Sequence, residues 1–148
     1  MSQSAHQPLD PDLEGIDRRP LFNPAAIGLV VLGGTLGTAA RQLAVNLWPV
    51  AGAFPWPILV INLLGALGLG VLAQALVRRG PDVGGRRHLR LLLGTGFTGG
   101  FTTYSAFAVA VAALVQDGQA GVGLAYALAT VLGGALATFA GIRLGARA

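Results

Sequence analysis

The stretch GTGFTGGFTTYSAF, residues 94–107, sets four glycines and four threonines between apolar runs and contains no charge. Glycines in the middle of a helix weaken it. The pair Gly99 and Gly100, beside Thr102 and Thr103, is therefore expected to break a helix at mid-membrane. A break frees backbone C=O and N–H groups that lipid cannot satisfy, so they must meet protein, water or an ion. Freed carbonyls suit a cation, and freed amides suit an anion. Just beyond, Tyr104 and Phe107 stand three apart and share one helix face. Aromatic rings carry positive edges. Such edges, together with amide hydrogens, can replace the water around a small anion; plain aromatic packing accounts for the same spacing.

Two further polar residues fall inside apolar runs. Asn62, in VINLLG, lies well within the second run. Its amide either bonds a neighbouring helix or offers its NH₂ to a passing anion. Arg41 lies sixteen residues past Ala25, ~24 Å along a helix. That is near the outer end of the first run. Arg41 either snorkels to the interface or lines an aqueous vestibule as a fixed positive charge that attracts anions.

The elements that must position these residues follow from composition. The chain has 148 residues, of which 53% are hydrophobic and 11% charged, against roughly 25% charged in a soluble domain. Four apolar segments, at about 25–48, 56–77, 89–115 and 121–142, each reach the ~20 residues that cross a bilayer core as a helix. No segment alternates with period two, so an all-helical membrane fold is expected. The second segment starts after a Pro-Trp-Pro cluster, which suits a helix N-terminus. Trp48 and Trp56 bracket one short loop as interfacial residues do. Residues 1–24 are polar, turn-rich and without an apolar leader run, and are expected to form a disordered cytoplasmic tail. Residues 25–148 then form one four-helix domain.

All ten basic residues are arginine, and the pI is about 11.1. Their positions argue against nucleic acid as the partner and for a lipid bilayer. Arg18, Arg19, Arg78, Arg79, Arg86, Arg87, Arg90, Arg143 and Arg147 fall on the side of the tail, the 78–90 loop and the C-terminus, and the other two loops hold no arginine. This nine-to-zero bias places both termini of a multi-pass cell-membrane protein in the cytoplasm. Small residues recur every four positions, at Gly33 and Gly37 and at Gly133, Ala137, Gly141 and Gly145. They serve either a dimer face or close packing within the bundle.

Several classes are disfavoured. No Asp, Glu or Lys lies within the four segments, whereas a small multidrug-type transporter needs a buried carboxylate. There is no cysteine, and His6 and His88 lie in the tail and a loop. An enzyme is not expected. A non-conducting accessory membrane subunit is the main alternative to a channel.

The motifs GGTLGTAARQL at 33–43, VINLLGALGLG at 60–70 and GTGFTGGFTTYSAF at 94–107 resemble those of the small four-helix fluoride channels, the Fluc or CrcB family. The third is the most specific. The resemblance covers about residues 25–145. It implies an antiparallel dimer with two pores that carries fluoride passively out of the cytoplasm, lowering its toxicity there. It also implies a structural Na⁺ at the dimer axis, held by the backbone carbonyls of Gly99 and Thr102. The pore phenylalanines of the family map onto Tyr104 and Phe107, its pore asparagine onto Asn62 and its first-helix arginine onto Arg41. Thr103 and Thr130 complete the expected anion path.

The sequence departs from the family pattern in three places. Tyr104 stands where Phe is usual, Ile58 where Thr is usual, and Ala129 where Ser is frequent, with Thr130 beside it able to compensate. A chain with so one-sided an arginine distribution is expected to insert one way only. Its antiparallel partner is then an oppositely oriented paralogue, with a homodimer as second choice.

Overall fold

The computed structural model describes residues 23–48 and 52–147. The expected tail lies outside these residues except for Asn23 and Pro24, which start the first helix. The Asn23 side-chain oxygen accepts the Ala26 N–H at 3.2 Å, and Pro24 occupies the first turn of helix α1, Pro24–Leu47. This is the usual chemistry of a helix start. Helix α2, Trp56–Arg78, begins on the Trp-Pro pair as expected. The third span opens with α3, Gly84–Leu89. It continues as a wide helical segment, Arg90–Thr98, and ends in the short turn α4, Gly99–Phe101. Helix α5, Tyr104–Gln116, resumes after the break, and α6 is Ala120–Gly145.

Four stretches are long and apolar enough to cross a membrane: Pro24–Leu47, Trp56–Arg78, Gly84–Gln116 and Ala120–Gly145. No strand occurs among the described residues. The third span starts five residues before the expected Leu89, so Arg86, Arg87, His88 and Arg90 lie on helical turns rather than in a loop. The turn leading into it carries Gly80 and Gly84 at positive φ, 106° and 56°. Asp82 in this turn accepts from Arg90 Nε at 2.9 Å. That hydrogen bond, reinforced by the arginine's charge, holds the Asp82 carboxyl below the usual carboxylate range, so the pair is ionised at neutral pH.

The break does not fall at the glycine pair. Gly99 keeps helical angles, φ −63° and ψ −35°. The chain turns extended at Thr102, φ −78° and ψ 158°, and at Thr103, φ −148° and ψ 122°. The reason is packing. A Cβ on Gly100 would stand 2.2 Å from the Gly34 carbonyl oxygen, so this glycine lets α4 touch α1. The same use explains the stripes. A Cβ on Gly33 would meet the Leu92 oxygen at 2.1 Å, on Gly37 the Phe97 oxygen at 2.1 Å, and on Gly141 the Leu67 oxygen at 2.3 Å. These glycines pack α1 on the third span and α6 on α2, within the bundle. Behind the break, Leu59, Leu114 and Tyr126 form a buried cluster that Phe54 and Phe107 join.

Candidate functional site

Two side chains make the break. In an unbroken helix the N–H of residue i bonds the carbonyl of residue i−4. The Thr103 N–H would go to Gly99 and the Ala106 N–H to Thr102. Instead, Thr103 N–H donates to Asn62 Oδ1 at 2.9 Å, and Ala106 N–H donates to Thr103 Oγ1 at 3.2 Å. The Gly99 and Thr102 carbonyls, the two expected to face a cation, are thereby relieved of their helical donors. Gly99 is exposed, and no atom lies within 4 Å of the position its Cβ would take.

Asn62 closes the other half of the bridge: its NH₂ donates to the Thr103 carbonyl at 3.1 Å. Of the two readings of this residue, bonding to a neighbouring segment is the one seen, and it uses one of the two amide hydrogens. The second remains for another acceptor. Thr103 doubles as N-cap of α5, and its hydroxyl also lies 3.2 Å from that of Ser105. Thr102 fixes the preceding turn, donating through its hydroxyl to the Thr98 carbonyl at 2.8 Å. Gly65 makes room for it: a Cβ there would fall 2.2 Å from Thr102 Cγ2.

A groove of about 420 Å³ runs along the break, and Asn62, Thr103, Tyr104, Phe107 and Thr130 all line it. The expected anion-path residues are thus brought together by three different helices. The Tyr104 and Phe107 rings are 5.8 Å apart with planes at 46°. Phe107 is held in turn by Tyr126 at 5.5 Å. The Thr130 hydroxyl donates to the Tyr126 carbonyl at 2.8 Å. Tyr104 is 80% exposed, an unusual position for a ring beside so many polar atoms. Ile58 and Ala129 are not among the residues lining the groove.

Arg41 lies elsewhere. Its Nε donates to the Gly100 carbonyl at 3.2 Å, and the side chain is half-buried. The guanidinium reaches back to the break instead of standing free at the span's outer end, because the Gly34–Gly100 contact brings the two backbones together. Thr38, one turn earlier on the same face, gives its hydroxyl to the same oxygen at 3.4 Å. Sequence reasoning missed Thr38 and Tyr126. The three-residue spacing of Thr38 and Arg41 was the available signal for the first. Nothing in the sequence marks Tyr126 apart from other span aromatics.

Comparison with known proteins adds an independent line. The family model described as "CrcB-like protein, Camphor Resistance (CrcB)" matches residues 28–142. The chain is 49% identical over 122 residues to "Fluoride-specific ion channel FluC 1" of Cutibacterium acnes, covering 82% of each chain. It is 51% identical over 118 residues to "Fluoride-specific ion channel FluC 2" of Leifsonia xyli subsp. xyli, covering 80% of this chain and 81% of the relative. A protein of Chelativorans sp. with the name "Fluoride-specific ion channel FluC" is 43% identical over 121 residues, 78% of this chain and 92% of the relative. Four apolar spans, a third span interrupted beside a polar groove, and a family match across nearly all of the described residues lead to one assignment: this chain is a multi-pass membrane protein of the CrcB family.

Proposed function

We propose that this chain is a fluoride-specific ion channel that lets fluoride leave the cytoplasm down its gradient. The observation that carries this reading is the single groove uniting Asn62, Thr103, Tyr104, Phe107 and Thr130 beside the break. A bare small ion in a low-dielectric medium costs on the order of 20 kcal/mol. A path through the bilayer must therefore replace lost water almost continuously. The free amide hydrogen of Asn62, the hydroxyl hydrogen of Thr103 and the ring edges of Tyr104 and Phe107 form such a series, and the Thr130 hydroxyl joins it by turning from the Tyr126 carbonyl to which it donates. No residue in it needs to change protonation, which suits passive conduction and involves no enzymatic step.

The groove is open on one side, and Tyr104 presents most of its surface. An antiparallel second chain closes it in this reading, giving two pores per dimer. The arginine distribution supports a single orientation with both termini in the cytoplasm, and hence an oppositely oriented paralogue as partner. At the dimer axis the Gly99 and Thr102 carbonyls fit a structural Na⁺, since both are freed from helical bonding and oxygen ligands suit hard cations. Bound there, the ion would supply fixed positive charge at the level of the break.

Fluoride efflux from liposomes tests the reading. Vesicles holding this chain with its oppositely oriented paralogue are expected to release fluoride and retain chloride, as read by an ion-selective electrode. Absence of fluoride release with the paralogue and with the lone chain would overturn the channel. Flux from the lone chain, with termini mapped on both sides, would replace the paralogue pair by a homodimer. If the paralogue conducts equally without this chain, the chain is an accessory subunit.

Two substitutions refine the site. Tyr104→Phe is expected to keep flux within about fivefold of wild type, because the ring edge is retained and a lost neutral hydrogen bond costs only ~1 kcal/mol. Gly99→Ala should leave the protomer fold unchanged, since nothing surrounds that position, yet lower flux by roughly tenfold as the added methyl crowds the dimer axis. Circular dichroism and efflux on the same preparation check both halves of that expectation.

A further inference from the structure

A second groove lies away from the break. It has a volume of about 570 Å³ and runs between α2 and the wide segment Arg90–Thr98. Its wall is apolar at Leu69, Leu72, Leu76 and Val77, and its end is polar at Asp82, Arg86 and Arg90. Leu69 and Val77 are eight residues apart, ~12 Å along the helix. The apolar wall thus runs at bilayer depth and the polar end meets the interface.

The charge at that end is strongly one-sided. Residues 78–90 hold five arginines and one aspartate, a net charge of +4 (five minus one). Arg90 is occupied by Asp82. Arg86 is half-buried and positioned from behind: its Nε donates to the Pro81 carbonyl at 2.8 Å. Its guanidinium also lies over Gly80, about 3.8 Å from where a Cβ would stand. With Nε used, the terminal N–H groups of Arg86 have no hydrogen-bond partner among the described residues. A fixed guanidinium at the head of an apolar trough is complementary to one kind of molecule, with an anionic head and a hydrocarbon tail.

We propose that this groove binds an anionic phospholipid of the arginine-rich leaflet, its phosphate on Arg86 and one acyl chain along Leu69, Leu72 and Leu76. Electrostatic attraction of this kind is worth about 1 kcal/mol per arginine near the surface, and the apolar wall adds selectivity for a lipid over a free anion. The site adjoins the fluoride groove at Leu69, which lines both, and its test does not depend on conduction.

Native mass spectrometry of the intact protein, extracted from mixed phosphatidylglycerol and phosphatidylcholine, tests it. Phosphatidylglycerol is expected to be retained preferentially. Arg86→Gln should weaken that retention about fivefold, the factor that ~1 kcal/mol represents. Ala73→Trp, at an exposed position lining the groove, should remove it by filling the trough. Arg147→Gln, outside the groove, should leave it unchanged. Equal retention of the two lipids would overturn the proposal, as would undiminished phosphatidylglycerol in both groove variants. Displacement of the lipid by millimolar inorganic phosphate would assign Arg86 to free anions and also overturn it. Loss of dimer in Ala73→Trp without any lipid preference would give the groove to a second chain instead.

Discussion

Asn62→Ala is expected to reduce fluoride efflux at least tenfold to a hundredfold while leaving the four spans in place. The side chain makes both hydrogen bonds that bridge the break, 2.9 Å from the Thr103 N–H and 3.1 Å to the Thr103 carbonyl. Removing it orphans a donor and an acceptor at bilayer depth, at about 1–3 kcal/mol each. The cheapest repair is for the Thr103 N–H to return to the Gly99 carbonyl, which heals the helix by one bond. That repair withdraws an oxygen from the proposed cation position and swings Tyr104 out of register with Thr130. The variant also loses the amide hydrogen left over for the anion. Efflux and the Na⁺ dependence of dimer stability should therefore fall together. Wild-type flux from Asn62→Ala would remove this residue from the path and the bridge from the mechanism. Asn62→Asp separates the two roles, because it keeps an acceptor for the Thr103 N–H and lacks the NH₂ donor.

Gly37→Ala is expected to damage the fold itself. The new methyl would stand 2.1 Å from the Phe97 oxygen and 2.9 Å from the Phe101 nitrogen. Both are backbone atoms, so no side chain can rotate away and α1 must lift off the third span. Overpacking of this kind costs about 1–3 kcal/mol, and a contact with two main-chain atoms belongs at the upper end. Lifting α1 also withdraws Arg41 and Thr38 from the Gly100 carbonyl, so flux should fall along with stability. Gly28→Ala is the control: nothing lies within 4 Å of its Cβ position, and alanine favours an exposed helix site by up to ~1 kcal/mol. The melting temperature of purified protein should fall for the first and hold or rise slightly for the second. Equal melting temperatures would mean that the α1 contact is looser than the structure shows.

How far the sequence foretold this arrangement depended on the kind of signal. The four spans were legible because apolar length is a local property, read one segment at a time. The start of the third was misplaced by five residues because arginines normally end an apolar run, while here Arg86, Arg87 and Arg90 sit on the turns that lead into it. The interruption was foreseen but assigned to Gly99 and Gly100. Glycine has two uses in a membrane helix, weakening it and admitting a neighbour, and sequence alone does not separate them. Gly100 serves the second use against Gly34. The interruption belongs to Thr103 and Asn62, which are 41 residues apart, so no local pattern could pair them. Arg41 was read by its depth along one helix, whereas its partner is set by the contact of two.

The wide segment Arg90–Thr98 bears on all of these contacts without lining the groove over most of its length. Thr98 donates its hydroxyl five residues back, to the Leu93 carbonyl, and turns of this width hold more residues than the 3.6 of an ordinary helix. The segment thus acts as a phase shifter. It sets the rotation at which Gly100 arrives against Gly34 and Gly99 turns outward. Losing one residue between Arg90 and Thr98 would rotate everything downstream by roughly 100°, aiming the freed carbonyls at hydrocarbon with every binding residue still present.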